Sequence, residues 1–171
     1  MHSKKEYYYE PYMFFYFNDE KNNENKRKFS QYKDISTKFI NNENLESETN
    51  YLIWVDTKEF KTNVFLNVEG TWKIIRSYPC SIGKKETPTP LGKFKIGVKG
   101  LYFGENHGYR CWYYTQFKDN YLFHSILYNL DGSIKDGRLG YEISNGCVRL
   151  AINNAKWIYS NVPKNSLVYI S

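Results

Sequence analysis

From residue 51 onward the chain alternates between apolar and polar residues, and that alternation limits what it can fold into. Val64, Leu66 and Val68 fall on one face of an extended segment and Asn67 on the other, the period-two pattern of a half-buried strand. Glu69-Gly70-Thr71 supplies a turn, and residues 72–80 return as an antiparallel partner. Residues 52–55, 94–98, 111–117, 121–127 and 167–170 read as further strands, with a Gly-containing loop over 99–110. One helix is marked, over residues 152–161, ending before Pro163 because the residue preceding a proline is pushed out of the α region. The expected class is mainly β, a sandwich of mixed sheets with one helix near its C-terminal end.

The first fifty residues are built differently. All eleven glycines lie at or beyond position 70. Residues 7–17 are instead an aromatic cluster, and residues 18–27 are rich in Asn, Lys and Glu. This shift sets a boundary between an N-terminal extension, 1–49, and a folded domain, 50–171. The aromatic cluster exposes too much apolar area to be left in water and is expected to pack as a strand or latch. The polar run has too little apolar surface to order itself and reads as a linker. Phe29, Tyr32, Ile35 and Phe39 recur at helical spacing and predict a short helix. Lysine and arginine (24) exceed aspartate and glutamate (18), giving a net charge of +6 that favours polyanions such as anionic wall polymers. No helix-turn-helix, zinc-finger or RNA-binding signature accompanies the charge, so nucleic acid is not an expected partner. No run of 18 apolar residues and no basic-apolar leader is present, so a membrane anchor or export signal is expected outside this chain.

The chemistry is concentrated in two segments. Ser144-Asn145-Gly146-Cys147-Val148-Arg149-Leu150 sets a cysteine in a tight glycine turn, and His124 lies 23 residues upstream in an apolar, strand-like run. A thiolate attacks where a thiol does not, and a neighbouring imidazole can take the proton. Cys147 and His124 are therefore candidates for nucleophile and general base. Gly146 lacks a Cβ, so the turn can bring backbone N–H groups of Gly146 and Cys147, with Ser144, close to a developing oxyanion. Cys80 and Cys111 show no paired spacing and read as buried thiols. His2, His107 and His124 have no zinc spacing with the cysteines, so neither a metal nor an organic cofactor is expected.

These residues resemble the L,D-transpeptidase family, enzymes that cross-link bacterial peptidoglycan. The family carries an upstream His and then Ser/Thr-His-Gly-Cys, the places filled here by His124 and by Ser144 to Cys147, with Asn145 where the family usually has His. Ser81-Ile82-Gly83 followed by Glu86-Thr87-Pro88-Thr89-Pro90-Leu91-Gly92-Lys93-Phe94 is similar to the family's second signature. The resemblance covers about residues 50 to 171. It implies an L,D-transpeptidase-like β-sandwich with a helix after the catalytic turn and peptidoglycan stem peptides as partners. It also implies a Cys147 thioester, no cofactor, and work outside the cytoplasmic membrane. The interval before Ser144 is long, and residues 131–137 have the turn chemistry of a surface loop that would absorb it.

Further site residues follow from strand geometry. Alternation turns Ser125 away from the face of His124, so its backbone rather than its hydroxyl is suited to orient the imidazole. Arg149 shares the face of Cys147 if the chain is extended there, and suits a substrate carboxylate or, equally, a structural ion pair. Asn145 is a candidate substrate contact or a turn residue. Trp112 and Tyr128 are candidates to line a sugar-peptide groove, though alternating aromatics also build cores. Two rival functions remain open at this level: a wall-binding module impaired by Asn145, and a thiol L,D-carboxypeptidase in which water replaces the acceptor amine.

Overall fold

The computed structural model describes the backbone from residue 19 and side chains from residue 23. The expected packing of the aromatic cluster at 7–17 lies outside the described residues. A helix α1 (Asp19–Asn42) is followed by strands β1 (Tyr51–Asp56), β2 (Lys61–Val68), β3 (Thr71–Gly83), β4 (Gly92–Lys95) and β5 (Lys99–Phe103), then by a 3-10 turn at Glu105–His107. Strands β6 (Cys111–Lys118), β7 (Tyr121–Ser125), β8 (Leu127–Tyr128), β9 (Ile134–Asp136), β10 (Glu142–Ser144) and β11 (Val148–Leu150) lead to helix α2 (Ile152–Asn161) and strand β12 (Leu167–Ile170). The fold is mainly β, as expected.

One sheet runs β4-β12-β1-β2-β3-β11-β7-β6-β5, with β10 added on β3, while β8 and β9 pair separately. Pairing is mixed: β1 is parallel to β12, and β11 is parallel to β7 and antiparallel to β3. The sheet curls, so Ile53, Val55 and Val168 from one half share a core with Phe117, Phe123, Val148 and Leu150 from the other. Helix α2 closes that core with Ala155 and Ile158. The expected loop at 99–110 in fact begins with β5, paired to β6 through Lys99↔Thr115 and Phe103↔Cys111. The expected surface loop at 131–137 contains β9, the outer strand of a small hairpin.

Two expectations for the N-terminal region are corrected. The polar run read as a linker is helical from Asp19, continuous with the predicted short helix, so α1 is 24 residues long. A polar sequence holds this form because its C-terminal half docks: Ile40 is fully buried and Phe39 packs on Trp54 at 4.9 Å between ring centroids. The docked face also differs from the predicted one. Ser36 is buried, whereas Ile35 remains 58% exposed, so the inward stripe passes through Tyr32, Ser36 and Ile40. Tyr32 Oη donates to Asp56 Oδ2 at 3.2 Å and accepts from Asn63 Nδ2 at 2.9 Å. Leu52, Trp54, Phe65, Trp72 and Leu167 form a second core under this helix. Helix α1 thus packs against the sheet formed by the residues that follow it. No helix among the described residues is long and apolar enough to cross a membrane.

Candidate active site

Three strands set a row of side chains. Arg149 on β11 registers with Ser81 on β3 and with His124 on β7. Val148 and its partner Phe123 turn into the core together with Leu150, so alternation sends Arg149 and His124 to the opposite face. Cys147 directly precedes β11, two residues before Arg149 and so on the Arg149 face where the chain stays extended, and the Arg149 guanidinium acts on both the thiol and the His124 imidazole.

The imidazole is held tightly. His124 is buried, and its Nδ1 donates to the Ser125 carbonyl oxygen at 2.6 Å. That bond fixes the neutral tautomer with a lone pair on Nε2. The ring of Phe103 on β5 meets it edge-on at 5.1 Å and 87°. Burial pulls the His124 pKa down to about 4, opposed by the Ser125 carbonyl and assisted by the Arg149 charge. Ser125 Oγ turns elsewhere, donating to the Ile126 carbonyl at 2.6 Å and accepting from the Trp112 N–H at 2.8 Å. Its backbone orients the ring, while its hydroxyl ties β6 to β7.

The Cys147 thiol is half-buried, and its Sγ lies 3.6 Å from the Asn120 carbonyl, an acceptor suited to the protonated form. Burial raises its pKa, against lowering by the Leu122 N–H and the Arg149 guanidinium. The turn before it is braced from within. Gly146 has φ of +109°, and a Cβ there would overlap the Tyr121 ring. Ser144 Oγ accepts from the Gly146 N–H at 3.0 Å and donates to the Cys147 carbonyl at 2.6 Å. The Gly146 N–H and the Ser144 hydroxyl are thus engaged inside the turn and shape it. Thr89, from the second signature segment, reaches across to it. Its buried Oγ1 accepts from the Gly83 N–H and donates to the Gly146 carbonyl, both at 2.8 Å.

The remaining candidates are dispersed. Asn145 is exposed on the turn. Arg149 makes an ion pair, Nη1 to Asp136 Oδ2 at 3.0 Å. The guanidinium of Arg110 lies 4.9 Å from the Trp112 ring centroid, and Tyr102 meets that ring edge-on, so the expected stacking surface is already occupied on those sides. Tyr128 is half-buried, and its backbone bridges to Arg110. Asp136 and Phe103 were missed by sequence reasoning. An alternating Leu101-Tyr102-Phe103 run was a usable signal for Phe103; Asp136 had none.

Known proteins similar to this chain point to one family. YciB of Bacillus subtilis (strain 168), named provisionally as an L,D-transpeptidase, is 30% identical over 129 residues, 70% of this chain and 66% of that protein. A fused Zn-dependent amidase/peptidase/peptidoglycan-binding domain-containing protein from Clostridium acetobutylicum ATCC 824 is 37% identical, with a TM-score of 0.71 over 83% of this chain and 61% of its own. The chain thus spans just under two thirds of either relative. L,D-transpeptidase 3 from Mycobacterium tuberculosis, solved with a faropenem-derived adduct, shares the fold at 19% identity, with a TM-score of 0.55 over 71% of this chain and 60% of that one. The model of the YkuD L,D-transpeptidase catalytic domain matches residues 50–170, the span that contains the Thr89 brace, His124 and the Cys147 turn, and this chain belongs to that family.

Proposed function

We propose that the protein is an L,D-transpeptidase that cross-links peptidoglycan stem peptides outside the cytoplasmic membrane, with Cys147 as nucleophile and His124 as general base. One observation supports the reading: the β7–β11 register sets Arg149 level with His124, so the strand that Cys147 immediately precedes runs alongside an imidazole whose Nδ1 is committed to the Ser125 carbonyl. The lone pair on Nε2 is then the proton acceptor. At rest the pair is neutral, since burial raises the thiol and lowers the imidazole. On substrate binding the thiol proton passes to Nε2, and the thiolate attacks the carbonyl of the L,D bond in a donor tetrapeptide. The Cys147 N–H is the donor proposed for the oxyanion. Terminal D-alanine leaves with the proton from the imidazolium, and a thioester remains. The amine of an acceptor stem attacks that thioester, His124 takes its proton, and the thiol is restored.

The test is intact-mass measurement after incubation with a carbapenem, an acyl donor for thiol acyl-enzymes. A single adduct should form on the unaltered protein and be absent from Cys147→Ala. A folded protein that shows no adduct would remove the enzymatic reading. Product analysis on muropeptides then separates cross-linked dimers from the free tripeptide that hydrolysis would give.

A further inference from the structure

The row of side chains through the site holds an ion pair to which the reaction above gives no part. Arg149 stands directly beside His124 in the β7–β11 ladder, and its side chain is only 12% exposed. Its partner Asp136, 18% exposed, comes from β9, the outer strand of the small β8–β9 hairpin. Asp136 is itself pinned: Arg138 Nε donates to Oδ1 at 2.9 Å, and Arg138 Nη2 to Oδ2 at 3.0 Å. The Arg138 carbonyl in turn accepts from Ser81 Oγ at 3.2 Å, and Ser81 is the other register partner of Arg149. The contacts close a ring from β3 through the hairpin to β11, one step from the base.

We propose that Asp136 is a positioning residue of this site: it clamps Arg149 to the β8–β9 hairpin and offsets the guanidinium charge beside Cys147 and His124. Two cations, Arg138 and Arg149, share this one carboxylate. The Arg138 bonds come first in holding Asp136 well below the usual carboxylate range, so it stays charged. Other ionisable groups face the thiol as well. Tyr109 and Cys111 are both raised by burial and therefore neutral at working pH, and Lys135 sits over the Tyr109 ring at 5.6 Å. Asp136 supplies the compensating negative charge. Without it, an unscreened guanidinium in a low-dielectric site would stabilise a thiolate and oppose an imidazolium. The reactivity of the thiol is thereby coupled to the seating of the hairpin.

The proposal concerns the nucleophile named above but is tested without turnover, by the pH dependence of Cys147 alkylation with iodoacetamide in the full chain. Peptide mass spectrometry separates Cys147 from Cys80 and Cys111. Asp136→Asn should lower the alkylation midpoint by about one pH unit, the scale of a close charge interaction, and Asp136→Glu should restore it. Arg149→Met should raise the midpoint, and adding Asp136→Asn to Arg149→Met should produce no further shift. A midpoint unchanged or raised in Asp136→Asn, or equally lowered in the Arg149→Met background, overturns the proposal. Should Asp136→Asn fail to fold, an unmoved midpoint in Arg149→Met overturns it as well.

Discussion

His124 gives its Nδ1 proton to the Ser125 carbonyl and is otherwise enclosed by Phe103 and the strands around it, so charging it means burying an imidazolium. Its folded pKa, about 4, lies below the ordinary value of 6.5. Between those values the unfolded chain binds a proton that the folded chain does not, so stability rises with pH across that window and is flat above it. The loss on going from pH 7 to 4 should be on the order of 3 kcal/mol, from the free-energy equivalent of each pKa unit. Asp136 shifts the opposite way, its folded pKa depressed, and loses its contribution only as pH falls below the unfolded value near 3.8. The two effects therefore separate. Urea midpoints measured from pH 7 to 4.5 should fall for the parent and stay level for His124→Gln; parallel curves would refute the assignment of the pH effect to this imidazole.

At the scale of elements, the Cys147 turn is held from outside as much as from within. The segment between β3 and β4 carries Thr89 to the Gly146 carbonyl and Thr87 Oγ1 to the Ser144 carbonyl at 3.3 Å, while the Lys84 N–H reaches the same carbonyl at 2.9 Å. Thr89 is buried, so its two bonds have no water to replace them. Thr89→Val keeps the shape and removes both, at roughly 1–3 kcal/mol for the buried groups left unpaired. The turn would then loosen, and the rate of carbapenem adduct formation should drop at least tenfold, with Thr89→Ser close to the parent. Retained acylation in Thr89→Val would show that the turn holds its own geometry. Gly146→Ala should be harsher, since it adds both left-handed strain and overlap with Tyr121.

Across the whole molecule the curled sheet has two cores, and they serve different ends. The inner core, with Phe123, Val148 and Leu150, sets the strand register on which the site depends. The outer core, with Ile40, Trp54, Phe65 and Trp72, glues α1 to the back of β1, β2 and β3 and contains none of the site residues. Ile40→Ala should therefore cost roughly 2–5 kcal/mol, as for a buried large-to-small change, while the acylation rate of the folded fraction stays near the parent. Denaturation and carbapenem labelling on the same sample check both halves. A large loss of acylation with little loss of stability would mean that α1 communicates with the site.

Short-range rules account for what could be read directly. Alternation marked β12 and the β2–β3 hairpin, the restriction before Pro163 marked the end of α2, and the Ser144–Cys147 turn beside an upstream histidine marked the chemistry. The strand, hairpin and helix-end signals each depend on residues a few positions apart. The rest needed contacts between distant segments. A polar sequence at 19–27 is helical as the continuation of a helix whose later residues dock on a sheet. The β7–β11 pairing, which sets Arg149 beside His124, depends on strand order, which alternation does not encode. Asp136 stands beside Arg149 for the same reason: charges answer to neighbours in space, and those neighbours are set when the sheet curls.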